Sequence, residues 1–399
     1  MRLLRSTRRA FSRMAVGNFI PFEQGVAKVV TLAELQNCEA WKRAFQNNCK
    51  DHRYYEIVQE TLEGFEFHYL LLEDDSGKLR AVQPMFFVRQ NLVEGVPGKI
   101  RSVVDLVRKI FPRFLTMRVL MVGCAAGAGE LGACDEKNEK WVANALRASL
   151  HKYARQKRAS LIVLKDFRAK YRVVFETFSS NGYARIPSMP MTCLPLRYEN
   201  WDAYFRTLSK ATRKDLRRKF RKAEHAQKIE VEIVNDIAPC IDEAYPLYLA
   251  VHERSPLKFE KLTKNYFRAV GQRMADRARF FVWRQSGKIV AFSFCLVCDD
   301  AIYDECIGLD YSVALDLHLY FYTLRDIISW ALRQRLKYYY SNPLNYEPKL
   351  HLDCELVPLD LYVTHTNAFL NPAFRRIFKL LGPTRHDPVL HKFPNAHEL

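Results

Sequence analysis

Two carboxylates stand side by side in AIYDECIG, residues 301–308 of a 399-residue chain. A carboxylate can take the proton from an ammonium nucleophile, which makes Glu305 and Asp304 candidate general bases. The run has the composition of a strand, and neighbouring strand residues face opposite ways. Only one carboxylate can point into a given cleft, and Glu305 is expected to share its face with Tyr303 and Ile307. Further along, NPLNYEPKLHL sets Tyr346, Glu347 and Lys349 around Pro348, with Asn342 and Asn345 placed to cap the turn. A phenol can protonate a leaving group, and an ammonium can meet a phosphate or a substrate carboxylate. His318 opens a long helical pattern, where the helix dipole lowers its affinity for a proton.

The cations are concentrated in two stretches. Residues 206–222 hold nine Lys or Arg and one Asp, and the first 13 residues hold five Arg and no acid. Together they supply 13 of the 18 net positive charges, so the rest of the chain is only mildly basic. Leu208, Thr212, Leu216, Phe220 and Ala223 recur at helical spacing, a narrow apolar seam that predicts a helix packed on something. Thr212 and Asp215 have the spacing of a capping box. Lys210, Arg213, Lys214, Arg217, Arg218, Arg221 and Lys222 flank the seam. Four surroundings suit such a face: solvent, a phosphate or acidic substrate at a cleft rim, RNA or tRNA, and an anionic membrane surface. The one aromatic, Phe220, lies on the seam, which weakens the nucleic-acid reading because stacking needs exposed rings.

The remaining composition excludes several classes. Hydrophobic residues at 49% and charged residues at 27% can build a globular core. No apolar run approaches the ~20 residues of a membrane-spanning helix. The N-terminal MRLLRSTRRAFSRM reads as a basic tail, residues 1–20, with Met14 as an alternative start and a transit peptide as an alternative role. Cys295 and Cys298 form a CxxC pair inside the strand-like FSFCLVC, where a three-residue step points them apart. The ten cysteines are therefore expected to be reduced core residues of a cytoplasmic protein. No G-x-S-x-G occurs, and His351-x-Asp353, read at strand spacing, is too little for a metal site.

A weak duplication organises these residues. HYLLLEDDSGKLRAVQPMFFVRQNLV, 68–93, and RFFVWRQSGKIVAFSFCLVC, 279–298, both read as strand, tight turn, strand, with Ser-Gly-Lys at each turn. Each hairpin is later followed by a long amphipathic helix, 141–157 and 317–336, and a short strand, 159–167 and 337–342. The first copy carries an insertion at about 91–135, including an expected basic amphipathic helix. Prolines in RIPSMPMTCLPLRYEN place a joint near 195. The expected architecture is α/β with mixed sheets: an N-terminal unit at 21–195, a C-terminal unit at 196–385 and a tail at 386–399, each unit a central mixed sheet flanked by helices.

The order of strands and helix resembles the GNAT acyltransferase superfamily. The tandem arrangement is similar to Fem-type aminoacyl transferases. LSKATRKDLRRKFRKAE, LMVGCAAGAGELG, LHLYFY and NPLNYEPKLHLDCELVPL look like a bacterial group with a BioF2-like acetyltransferase domain. The resemblance implies an N-acyltransferase that uses acetyl-CoA or another acyl-CoA, needs no metal, and acts on an amine of a small molecule or peptide. It places Glu305 or Asp304 as base and the Tyr346 turn near the cleft, with Tyr346 as acid. It makes Arg213, Lys214, Arg217, Asp310, His318, Asn342, Glu347 and Lys349 candidate binding residues. The chain departs from the family after Ile307-Gly308, where LDYSVALDLHL replaces the R/Q-x-x-G-x-G loop. Asp310 and Asp316 crowd that helix entrance, Asp316 as its expected cap, and carboxylates there repel a diphosphate. Two alternatives follow: an aminoacyl-tRNA donor as in Fem-type proteins, or a non-catalytic module binding RNA, lipid or an envelope precursor.

Overall fold

The computed structural model describes residues 19–91, 106–110, 116–225, 228–380 and 382–399. The duplicated hairpins form as expected. β1 (Phe19–Phe22) and β2 (Gly25–Val30) lead into the first hairpin, β3 (Glu66–Asp74) and β4 (Leu79–Asn91). β9 (Ile229–Val234) leads into the second, β10 (Ala278–Gln285) and β11 (Lys288–Cys298). Gly77 and Gly287 turn them with φ of +77° and +81°, a region that costs glycine nothing.

Each unit adds a third strand, β5 (Thr116–Val122) and β12 (Ala301–Leu309). A long helix follows each, α2 (Glu139–Gln156) and α7 (Leu319–Arg333), after the shorter α1 (His52–Thr61) and the helices introduced below. The chain then returns in β6 (Leu161–Arg168) and β13 (Tyr338–Ser341). Among the described strands, β5 with β6 and β12 with β13 are the parallel pairs, and the other strand pairs are antiparallel. A helical crossover between parallel strands thus occurs once per unit, at matching positions. β5 lies inside the stretch expected as an insertion, of whose helix only residues 106–110 are described.

β7 (Ala184–Pro187), β8 (Met191–Pro195), β14 (Glu355–Val357) and β15 (Leu359–His365) complete the sheets. The first sheet runs β1-β2-β3-β4-β5-β6-β15-β7 and the second β14-β8-β13-β12-β11-β10-β9. The joint expected at 195/196 is therefore not a sheet boundary: β8, before it, belongs to the second sheet, and β15, far after it, to the first. Asp360 ties β15 into place, accepting hydrogen bonds from Arg172 at 2.6 Å and Arg185 at 2.8 Å while fully buried.

The basic run forms α4 (Lys210–His225), directly after α3 (Trp201–Thr207). Leu208, Leu216, Phe220 and Ala223 are buried, as the seam requires. The helix starts at Lys210 rather than Thr212, because the Ser209 hydroxyl accepts from Thr212 N at 3.1 Å. α5 (Ile241–Arg254) crosses β12 so closely that a Cβ on Gly308 would strike the Phe292 ring and Tyr248 N. α6 (Lys264–Arg273) packs against α1 between the two sheets, where the Tyr54 and Tyr266 hydroxyls meet at 2.9 Å. α8 (Tyr346–His351) and α9 (Asn371–Leu380) follow the second sheet. One continuous apolar core spans the two units through α1, α6 and facing strands, with Phe86 and Val119 from one sheet and Phe280 and Phe294 from the other.

Candidate active site

β12 and β13 pair from Ala301↔Tyr338 to Asp304↔Ser341 and then part. β13 ends at Ser341, while β12 continues to Leu309. Beyond Glu305, whose carbonyl takes the Asn342 side-chain amide at 2.8 Å, no strand among the described residues pairs with that edge of β12. A bulge sits at the same point: Phe294 pairs with Cys306 and Cys295 with Asp304, leaving Glu305 as the extra residue. Such a residue breaks the alternation of faces. Ile302 and Ile307 consequently pack into one core, on the α7 side, and Tyr303 and Cys306 into the core between the sheets. The expected common face of Glu305, Tyr303 and Ile307 is corrected for Ile307, because simple alternation does not cross a bulge.

Glu305 faces the N-terminal unit. Its Oε2 receives Lys50 Nζ at 2.8 Å and Asn342 Nδ2 at 2.9 Å. Lys50 lies over the Tyr54 ring and beside Gly127, where a Cβ would collide with its ammonium. The glycine-rich loop at 123–132 therefore closes around a protein cation. Lys165 donates to Gly127 O at 3.1 Å and pairs with Asp166 at 2.6 Å, and Glu260, its carboxyl pushed up by burial, lies near both lysines. Tyr303 stacks on Tyr340 at 4.7 Å and 8°, with Arg168 over its outer side.

Asp304 turns the other way. Ser293 Oγ donates to it at 2.6 Å and Tyr339 OH at 2.8 Å. Loss of hydration raises its proton affinity, and these two donors offset part of that rise. Lys349 is buried and donates to the carbonyls of Asn342 and Leu344. Burial brings its ammonium down to about 8, with the Asp304 charge opposing the drop. Asp304, Glu305, Asn342 and Lys349 are thus brought together.

The other expected residues lie apart from this group. The Tyr346 hydroxyl is buried and donates to Pro190 O at 2.8 Å, among Leu356, Leu390 and Phe393. Its phenol faces that core, one residue removed from the carboxylates through Lys349. Glu347 is exposed on α8. The segment expected as a fixed turn is this short helix, and His351-x-Asp353 lies at its end, not on a strand. Among the described residues no cluster could hold a metal ion. Arg213 donates to the carbonyls of Arg206 and Leu208, closing the end of α3. Arg217 lies over Phe205, and Lys214 points to solvent.

It is the opposite flank of α4 that reaches the helix entrance. Lys219 lies over the Phe321 ring at 3.7 Å, and Lys222 pairs with Asp316 at 3.6 Å. His318 stands there at φ +50° as the residue before α7, so the cap expected at Asp316 is displaced. Burial lowers its proton affinity, as do Lys219, Lys222 and Arg218. Asp310 is neutralised by Lys288 at 2.7 Å and accepts from Ser312. Sequence reasoning missed Lys50, Ser293, Tyr339 and Lys219. The seam of α4 held a signal for Lys219, which borders it on the side opposite Arg213 and Arg217; Lys50, 255 positions from Glu305, carried none.

A family model described as an acetyltransferase (GNAT) domain matches residues 210–347. Among curated proteins none matches by sequence. Among solved structures, FemX superposes with a TM-score of 0.51 at 11% identity, covering 88% of this chain and 99% of that one. The C-terminal domain of a putative lysylphosphatidylglycerol synthetase from Agrobacterium fabrum gives 0.49 at 12% identity, covering 87% and 98%. A tandem GNAT protein of the clavulanic acid pathway gives 0.48 at 8%, covering 86% and 99%.

Proposed function

We propose, for a chain whose residues 210–347 match a GNAT acetyltransferase domain model, that the second sheet catalyses transfer of an acyl group from acyl-CoA to an amine. The observation that carries this reading is the parting of β12 from β13 at a bulge that presents a carboxylate. The unpaired edge of β12 offers backbone donors and acceptors to an extended amide chain such as pantetheine. Its backbone N–H groups would stabilise the oxyanion that forms on the thioester carbonyl. Lys219, Lys222 and His318 stand at the entrance of α7, the helix that follows β12, where a diphosphate would lie. They supply the positive charge that a glycine loop supplies elsewhere in the superfamily.

Glu305 is the proposed base. It faces the inter-sheet side, from which an amine would approach, and takes the ammonium proton before attack. Lys50 and Asn342 hold its carboxylate. Asp304 is turned away and anchors Ser293 and Tyr339. No tyrosine is assigned to protonate the thiolate, since Tyr346 is committed to Pro190.

Titration calorimetry with acetyl-CoA and CoA, followed by an amine screen with acetyl-CoA, tests the reading. Micromolar binding and turnover lost in Glu305→Gln are expected; no binding of CoA overturns it. The cationic α4 favours a second reading, an aminoacyl-tRNA donor. That reading predicts no heat with CoA and a salt-dependent shift with charged tRNA.

A further inference from the structure

We infer that one end of the first sheet is a docking surface for an anionic phospholipid bilayer. Two segments far apart in sequence place bare apolar side chains there. Phe369, 94% exposed, and Leu370, 47% exposed, immediately precede α9, and Ile377, 38% exposed, lies two turns on, on the outer side of that helix. Leu106, 63% exposed, and Ile110, 76% exposed, belong to the short turn beyond β4. These five are most of the large apolar side chains the described residues leave in water. Soluble surfaces carry such residues singly, so their grouping needs a cause.

The sheet register brings the two segments to one end. Asn91 pairs with Thr116, Ser160 N donates to Arg118 O, and Thr366 N donates to Ser160 O. The end of β4, the starts of β5 and β6 and the exit of β15 therefore lie in a row, about 15 Å across at ordinary strand spacing. Arg108 holds the 106–110 turn to that row, donating to Asn91 Oδ1 at 2.6 Å. Phe369 stands three residues past Thr366. α9 turns Phe374 and Phe378 inward to the core, which leaves Ile377 on its outer side.

Charge selects the partner. No acidic residue occurs between Asp105 and Glu130 or between Asp360 and Asp387, whereas Lys109, Arg375 and Arg376 flank the apolar side chains. Among the described residues neither Arg375 nor Arg376 is ion-paired. Apolar side chains amid unpaired cations match a bilayer interface, where the chains enter the acyl boundary and the cations meet phosphate. This surface is distinct from α4, which packs on the second sheet, and does not depend on the acyl-transfer reading.

Co-sedimentation of the full chain with vesicles of phosphatidylglycerol and phosphatidylcholine (1:1), against pure phosphatidylcholine, tests it. Binding to the anionic vesicles that weakens with salt is expected. Phe369→Ser/Ile377→Ser and Leu106→Ser/Ile110→Ser should each weaken it on the order of tenfold, with circular dichroism unchanged. Three outcomes overturn the proposal. They are binding absent from, or equal on, the two vesicle types; binding that survives both double substitutions while Arg217→Glu/Arg221→Glu abolishes it; and a dimer seen by sedimentation that the serine variants dissolve, which assigns the surface to a second copy.

Discussion

Lys50 Nζ of the N-terminal unit lies 2.8 Å from Glu305 Oε2 of the second sheet, with both side chains almost removed from solvent. One ion pair therefore links the cleft's candidate base to the other unit. Removing one partner of such a pair leaves an uncompensated buried charge, which costs about 3–5 kcal/mol. Lys50→Met should lower stability by that order in thermal or denaturant unfolding. Lys50→Met/Glu305→Gln should recover much of the loss but not the activity, since the base is then gone. Additive losses in this double-mutant cycle would show that the two residues do not interact.

Glu305→Gln keeps an oxygen for Lys50 and Asn342 while abolishing the base. Turnover should fall by about 10²–10⁴, with little change in donor affinity. Equal turnover would remove Glu305 from the reaction.

The two flanks of α4 should behave differently. Lys222 reaches Asp316 at the entrance of α7, whereas Arg217 covers Phe205 on the far flank. Lys222→Glu should raise the Michaelis constant for an anionic donor several-fold, and Arg217→Glu should leave it near the wild-type value. Matching effects would mean that α4 acts through its overall field rather than at a site.

Lys349 gives stability a pH dependence. Its folded value of about 8 lies below the ordinary 10.5, so the unfolded chain binds this proton more tightly. Stability then rises with pH between about 8 and 10.5, by ~3 kcal/mol for the full separation. Urea unfolding of the wild type should show this rise relative to Lys349→Met across that window. Parallel curves would show that Lys349 titrates normally.

Tyr346→Phe deletes one buried hydrogen bond, to Pro190 O. A stability loss of about 1–3 kcal/mol with unchanged turnover is expected. A large fall in turnover at unchanged stability would return Tyr346 to the chemistry.

Local pattern carried much of this molecule. The Ser-Gly-Lys turns, the alternation of β3, β4, β10 and β11, and the seam of α4 each depend on neighbours a few residues away, so they can be read from the chain. So can the placing of Asp304 and Glu305 on one strand with opposed directions. The bulge at Glu305, by contrast, arises from how β11 and β12 register, and it decides that Ile307 leaves Glu305's face. Which flank of α4 meets the α7 entrance depends on the crossing of two packed helices, and so Lys219 was passed over for Arg213. Only the assembled sheets could exchange β8 and β15 between the units or bring Lys50 to Glu305. Contacts between residues hundreds of positions apart follow from the packing of whole layers, and no local spacing in the chain encodes them.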